Sequence, residues 1–357
     1  VFDPGEASEF EAWTDPESGV TSHIFDPDGM AGTRAYPSGD VATSDGSSLW
    51  LQGNDSERGW QPVILDTESG TLETVPEFGP GDEAIRDQPA RGAPVVDPDT
   101  GTAYAVVGDT VRKRTPGGDC AVVGSPTAVI DPSVSVPPQQ PTLSADGERL
   151  SLTLDSGEQS FVGAMALDSG RFDVWQSFDA PHGHAQFSPA DPNLLLVTRN
   201  PWQGDPESES RENSLRLIRE SLGARPLSNL SKGRYHRVFW SGDAASLWVV
   251  DARHGLGVLD VQTAFFEWVW PGSCSGGAVS GDDRQLVRTI HRDDGQRRLE
   301  CSRRNRDSSV AIVSAMPGSV DGISSGSPRF VCEHRSLMYT TTVRGEPELA
   351  LASVRGL

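Results

Sequence analysis

The sequence predicts an all-β fold: a seven-bladed β-propeller of four-stranded antiparallel blades, with residues 1–357 forming a single domain. Three observations lead there. Apolar residues come in runs of four to six between turn signals, and 38 glycines and 26 prolines are spread along the chain, a pattern of short strands rather than helices. A turn carrying Asp, Gly or Pro, followed by an apolar strand, recurs seven times. Both ends of the chain also read as strands that can share one blade.

The seven units, in order, are TSDGSSLWL (43–51), VVDPDTGTAYAVV (95–107), LSADGERLSLTL (143–154), FSPADPNLLLV (187–197), WSGDAASLWVV (240–250), VSGDDRQLVRTI (279–290) and VCEHRSLMYTT (331–341). Their turns at Asp45, Asp97, Asp146, Asp191, Asp243, Asp282 and Glu333 are 39 to 52 residues apart, the repeat length of four-stranded propeller blades. A second hairpin signal follows several units: VILDTESGTLETV (63–75), AMALDSGRFDVW (164–175) and GVLDVQTAFFEWVW (257–270). Two hairpins make a four-stranded blade, and a closed ring removes the exposed sheet edges that an open sheet would have to protect. At the ends, Glu11-Ala12-Trp13 runs into a turn at Asp15 to Gly19, and Glu348 to Ser353 reads as a strand, so the first and last segments are expected in one blade. Helical periodicity is weak throughout; Ser214 to Ile218 reads as a blade strand, and longer loops are expected at Gly124 to Pro141 and Asn200 to Asn213.

Charge and motif content exclude several functions. A formal charge of −21, with only Lys113 and Lys232 as lysines, leaves no basic stripe to displace counterions from a nucleic acid. No apolar run approaches the roughly 18 residues of a membrane span. Nucleotide-binding glycine loops and the G-x-S-x-G serine elbow are absent. The chain opens at Val1 without a basic and apolar leader. Cys120, Cys274, Cys301 and Cys332 show no C-x-x-C spacing, which leaves buried thiols or one or two disulfides open. Their even number and the Asn54-Asp55-Ser56 and Asn229-Leu230-Ser231 sequons favour a secreted or extracytoplasmic protein, expected as a monomer.

The stretch His182-Gly183-His184-Ala185-Gln186-Phe187-Ser188-Pro189 holds two of the seven histidines. On a regular strand His182, His184 and Gln186 share one face, and Gly183, Ala185 and Phe187 the other. The strand precedes a unit's turn, which makes it an innermost strand lining the central channel. At the matching place in the next unit stands Gly233-Arg234-Tyr235-His236-Arg237-Val238-Phe239-Trp240. Alternation there puts Tyr235, Arg237 and Phe239 on one face and Arg234, His236 and Val238 on the other. Two readings stand side by side: a ligand or catalytic face at the channel mouth, or polar groups that hydrate the tunnel and satisfy one another.

The chain resembles the oligogalacturonate lyase family, seven-bladed propeller lyases acting on short uronate oligosaccharides. The resemblance is carried by Trp13-Thr14-Asp15-Pro16-Glu17-Ser18-Gly19-Val20, by His184 to Leu194 followed by Pro201-Trp202, and by Phe239-Trp240-Ser241. It implies a lyase acting on an acidic oligosaccharide or polysaccharide. It also marks departures. Where the family's metal site has a histidine this sequence has Arg237, with His236 displaced by one; a second family histidine falls near Ser275 to Gly277, and the family's closing Q-x-x-H-x-H falls near Gly322 to Ser327, and neither stretch holds a histidine. The family's catalytic lysine aligns with Val41, or with Asp40 if one residue is allowed.

The expected chemistry is therefore β-elimination without a required metal. Arg199 or Arg237 would neutralise the uronate carboxylate, since a guanidinium fork binds carboxylate in a bidentate way. His182 or His184 would take the proton, and Tyr235, or alternatively His236, would protonate the leaving oxygen. Gln186 and Trp202 would contact substrate, Trp202 either by stacking on a sugar ring or as a loop anchor. A divalent ion, manganese or calcium, is the alternative; His182, His184 and Gln186 would be its ligands, although same-side neighbours about 7 Å apart are wide for one small ion. A propeller that only binds an acidic oligosaccharide or a protein partner is the other alternative.

Overall fold

The computed structural model describes residues 9–26, 30–35, 41–55, 59–79, 92–129, 134–137, 140–157, 159–180, 182–199, 215–227, 235–306, 308–320, 323–324, 326–332 and 334–355. They form seven antiparallel blade sheets arranged as a seven-bladed β-propeller, and a separate two-stranded hairpin of Ser319–Val320 with Ile323–Ser324. Blade 1 holds Met30–Arg34, Ser48–Asp55, Gly59–Asp66 and Leu72–Thr74; blade 2 holds Val95–Val96, Ala103–Val107, Thr110–Arg114 and Cys120–Gly124. Blade 3 has three full strands, Arg149–Asp155, Ser160–Ala166 and Phe172–Phe178. Its innermost position is marked only by bridges of Leu143 to Leu150 and Ser135 to Asp155. Blade 4 is His182–Phe187, Leu194–Arg199, Leu215–Arg219 and Gly223–Pro226; blade 5 is Tyr235–Trp240, Ser246–Asp251, Gly255–Asp260 and Phe266–Pro271; blade 6 is Gly276–Val279, Gln285–His291, Gln296–Arg303 and Ser309–Pro317.

Blade 7 closes the ring. From inside outward it runs Gly326–Val331, Ser336–Thr341, Glu348–Ser353, Thr21–Phe25 and Phe10–Thr14. The two ends of the chain meet where the sequence puts them, but the sheet has five strands rather than four, because the whole N-terminal hairpin joins it. Ser22 pairs with Ala352 and Ile24 with Ala350. The buried Tyr339 hydroxyl donates to Ser22 Oγ at 2.7 Å. Asp15, 1 % exposed, reaches the outermost strand of blade 6, accepting from Ser314 N at 2.8 Å and Ser314 Oγ at 2.7 Å.

Two turn devices repeat because each supplies a partner for backbone N–H groups that the hairpin leaves unpaired. Between the first and second strands an Asp caps the turn and a Ser or Thr two residues earlier braces it. Asp45, Asp146, Asp243 and Asp282 accept from the N–H of Ser47, Glu148, Ala245 and Arg284. Ser144, Ser241 and Ser280 donate to Asp146, Asp243 and Asp282. The second device is Asp-x-x-x-Gly, in which the last residue is left-handed: Gly19 at φ 74°, Gly70 at 69° and Gly101 at 69°. In blade 5 Ala264 fills that place at φ 56°.

The core lies between blades. Val162 and Ala164 of blade 3 pack with Ala185, Phe187, Leu195 and Val197 of blade 4; Leu196, Leu215 and Leu217 of blade 4 pack with Val238, Leu247 and Val249 of blade 5. Second strands are apolar on both faces for this reason, as a run bounded by turns predicts for a fully buried strand. The expected strand at 214–218 is observed as Leu215–Arg219, and the Gly124 to Pro141 segment includes a 3-10 turn at Pro126–Val129. All four cysteines are free thiols, three of them buried. Among the described residues no helix is long and apolar enough to cross a membrane.

Candidate functional site

Antiparallel order puts the start of every inner strand, and every turn between second and third strands, at the same mouth of the channel. His182 and Tyr235 open the inner strands of blades 4 and 5, and Arg199 ends the second strand of blade 4. His182, Tyr235 and Arg199 thus lie at one mouth, on two adjacent blades. Trp202 lies outside the described residues, and so does the side chain of His236.

The expected file of His182, His184 and Gln186 is broken. His182 pairs with Arg199 and Gly183 with Thr198, but Gln186 pairs with Leu196, so His184 and Ala185 together oppose Val197 in a β-bulge. His184 carries the bulge at φ 53°. Histidine is among the residues tolerated in the left-handed region, and a bulge re-aims a side chain that a regular strand would bury or alternate. Below the bulge, Ala185 and Phe187 face blade 3; above it His182 does so too. His184 is exposed, and among the described residues its ring has no hydrogen-bond partner. Desolvation by the crowded channel wall, with the Arg237 guanidinium of blade 5 adding to it, holds its pKa below the ordinary imidazole value. It is a neutral base open to water.

His182 is different: 7 % exposed, it stacks on Phe178 with ring centroids 3.8 Å apart at 16°. Its N–H donates to Ser160 Oγ at 3.0 Å, and its Nδ1 lies 2.9 Å from Ala180 O. Because a carbonyl only accepts, that contact puts the ring proton on Nδ1 and leaves Nε2 a bare acceptor, buried without a partner. Burial lowers its pKa, against the Ala180 bond, and Arg216 and Arg199 lower it further. Gln186 is spent between blades: its side-chain Nε2 donates to Val238 O at 2.7 Å, while its backbone carbonyl accepts from Trp240 Nε1 at 3.4 Å.

Blade 5 repeats the irregularity. Tyr235 pairs with Asp251 and Arg237 with Val250, which leaves His236 as an extra residue between them. Alternation had set Tyr235, Arg237 and Phe239 on one face. The bulge instead puts the half-buried Tyr235 with Val238 and Trp240 against the blade 4–5 core, while Arg237 lies over the Phe239 ring at 5.3 Å. Two groups at this mouth escaped the sequence reading. Arg216, on the third strand of blade 4, sits 5.5 Å over Phe178; its place in an apolar-alternating strand gave no signal. In blade 5 the turn at Asp251 holds a His–carboxylate pair, His254 Nδ1 to Asp251 Oδ1 at 2.8 Å, with the imidazole stacked on Trp268. Asp-x-x-His at a turn after an apolar strand is the signal that would have found it.

No three His, Cys, Asp or Glu side chains come together as metal ligands among the described residues. Among the described residues the donor set does not fit a manganese or calcium site. Val41, aligned with the family's lysine, is 2 % exposed in the core of blade 1; Asp40 lies outside the described residues.

This fold and mouth define a seven-bladed propeller of the architecture seen in oligogalacturonate lyases. An oligogalacturonate lyase in complex with manganese superposes with a TM-score of 0.79 at 16 % identity, over 96 % of each chain. One from Vibrio parahaemolyticus gives 0.80 at 15 % identity, over 97 % of this chain and 96 % of that one. The resemblance carried by the sequence motifs is thus matched along the whole fold. A puromycin hydrolase also superposes, at 0.60 and 14 % identity, over 88 % of this chain and 52 % of its own. No protein-family model matches the chain, and no curated protein matches its sequence.

Proposed function

We propose that this protein is a lyase that cleaves a uronic-acid-containing glycan by β-elimination at the mouth between blades 4 and 5. The observation that carries the reading is His184: a bulge turns it into the channel mouth, neutral and exposed, beside Arg237 of the next blade. The fold shared with two oligogalacturonate lyases supports the same chemistry.

In this reading Arg237 binds the C6 carboxylate, which spreads the charge that develops when C5 loses its proton. His184 Nε2 or Nδ1 takes that proton, since among the described residues no group bonds either nitrogen. The electron pair forms the C4–C5 double bond, and the C4–O bond breaks. Tyr235 gives its phenol proton to the leaving oxygen, with His236 as the alternative donor. His182 and Gln186 shape the strand that presents His184, Arg199 meets a further acidic group of the glycan, and Trp202 contributes a stacking surface. Val41 favours a second reading, a non-catalytic propeller that binds an acidic oligosaccharide or a protein, because a buried valine stands where a lysine is expected.

The test is to incubate the protein with a panel of uronate glycans, with and without chelator, and follow the ultraviolet absorbance of the unsaturated product. A rise that persists in chelator and vanishes in His184→Ala supports the lyase. A flat trace across the panel with glycan binding retained supports the binding reading.

A further inference from the structure

Two anchors of opposite parity force the bulge that exposes His184. Side chains alternate along a regular strand, so residues an odd number apart face opposite ways. Yet His182, Ala185 and Phe187 all face blade 3. Odd and even positions share a face only when one extra residue lies between them. His184 is that residue: with Ala185 it opposes Val197, and it carries the left-handed φ of 53°.

Blade 3 builds both anchors. The lower one is hydrogen-bonded: Ser151 Oγ donates to Ala185 O at 2.8 Å, and Phe187 N donates to Thr142 Oγ1 at 2.7 Å. The upper one holds His182, whose backbone N–H donates to Ser160 Oγ, whose Nδ1–H donates to Ala180 O and whose ring stacks on Phe178. Arg216 closes this slot. Its pairing with Val197, a member of the blade 3–4 core, sets it on the same side, and its guanidinium lies 5.5 Å over the Phe178 ring. His182 Nε2 and Arg216 Nε are both buried without a partner. An aliphatic side chain would fill such a slot without stranding polar atoms, but it could not bond the Ala180 carbonyl. The slot holds an imidazole in one orientation, at a cost in stability.

We propose that Phe178 and Arg216 are positioning residues for the base: by fixing His182 against blade 3 they keep the extra residue in the strand and His184 turned to the channel mouth. Neither touches the reacting atoms. With the upper anchor released, nothing requires the extra residue, and the strained left-handed φ relaxes. His184 then falls into file with Gln186, on the face buried against Val238 and Trp240 of blade 5. The role of His184 as base rests on the lyase reading above; the anchoring does not.

The test reads His184 directly. Wild type, Phe178→Leu, Phe178→Tyr, Arg216→Met and Arg216→Lys are treated briefly with diethyl pyrocarbonate, and modification of His184 is measured by peptide mass spectrometry. The exposed His254 serves as internal standard, and thermal melts check that each variant is folded. The inference predicts that His184 reactivity falls about tenfold in Phe178→Leu and Arg216→Met, the population shift set by releasing one left-handed residue. Phe178→Tyr and Arg216→Lys, which keep the ring and the charge, stay near wild type. On a uronate glycan that wild type cleaves, kcat falls by a similar factor with KM little changed. Phe178→Leu adds no further loss to His184→Ala, because the anchor acts only through His184. Unchanged His184 reactivity in folded Phe178→Leu and Arg216→Met overturns the inference. The predicted loss of reactivity in a protein that cleaves no uronate glycan supports it and overturns the lyase reading alone.

Discussion

At the scale of single residues, one left-handed histidine decides how the mouth reads. The stretch around His182 and His184 is conspicuous in the sequence, but alternation assigns its two imidazoles the same job, and the bulge at His184 separates them. One becomes a water-exposed base and the other a buried acceptor stacked on Phe178. A bulge adds a residue without changing composition, so neither periodicity nor residue type announces it; Arg216 went unread for a similar reason. Two outcomes follow. If His184 is the general base, its lowered pKa keeps it unprotonated over a wider range, and the acid limb of kcat/KM falls at a pH below the ordinary imidazole value of about 6.5. A limb above that value would assign the base elsewhere. Replacing His184 by alanine lowers kcat by roughly 10²–10⁴-fold, the usual span for losing a positioned base, while leaving the melting temperature nearly unchanged because the side chain is exposed.

At the scale of elements, the turns were the most legible feature of the chain, because Asp, Ser and Gly act through local hydrogen bonds and φ rather than through distant packing. The same bonds make the fold acid-sensitive. Asp45 and Asp66 are held below the usual carboxylate range chiefly by the N–H groups of Ser47 and Ser69, Asp243 and Asp282 by the hydroxyls of Ser241 and Ser280. A folded pKa below the unfolded one, about 3.9, means that the unfolded chain takes up protons first as pH falls. The stabilisation is whole above about pH 4 and is lost as pH drops through the folded values. Urea midpoints should therefore be flat from neutrality to about pH 5 and fall steeply below pH 4. Ser241→Ala should lower stability by about 1 kcal/mol at neutral pH and flatten that acid slope, since Asp243 loses its main reason to stay charged. The irregular turn of blade 5 predicts the opposite sign: Ala264 is left-handed at φ 56° in the place that Gly19, Gly70 and Gly101 hold in their Asp-x-x-x-Gly turns, and Ala264→Gly should raise stability by up to about 1 kcal/mol, read from the same midpoints.

At the scale of the molecule, a propeller is held by its weakest blade-to-blade junction, because each blade contacts only its two neighbours and the ring opens wherever one contact fails. Six junctions join blades that follow each other directly in the chain. The seventh depends on segments more than 300 residues apart, since Thr33 and Thr340 cross-bond blades 1 and 7 through Leu349 N to Thr33 Oγ1 at 3.1 Å and Ala35 N to Thr340 Oγ1 at 3.2 Å. The sequence showed that the ends meet, because strand signals are local. It did not show that two N-terminal strands enter the sheet, nor that Asp15 crosses to blade 6, because a partner 299 residues away leaves no trace in spacing. Asp15 is the clasp: buried, it holds the Ser18 turn and both donors of Ser314 at once. Asp15→Ala strands two buried donors on the neighbouring blade, which by ordinary hydrogen-bond energetics costs about 2–4 kcal/mol. Asp15→Asn keeps an acceptor and should lose less. If the clasp governs closure, hydrogen exchange in Asp15→Ala should rise first in Thr21–Phe25 and Ser309–Pro317, the strands it ties together, while blades 3 to 5 stay protected. Uniform acceleration around the ring would mean that the blades unfold as one unit and that Asp15 contributes only its share of the total.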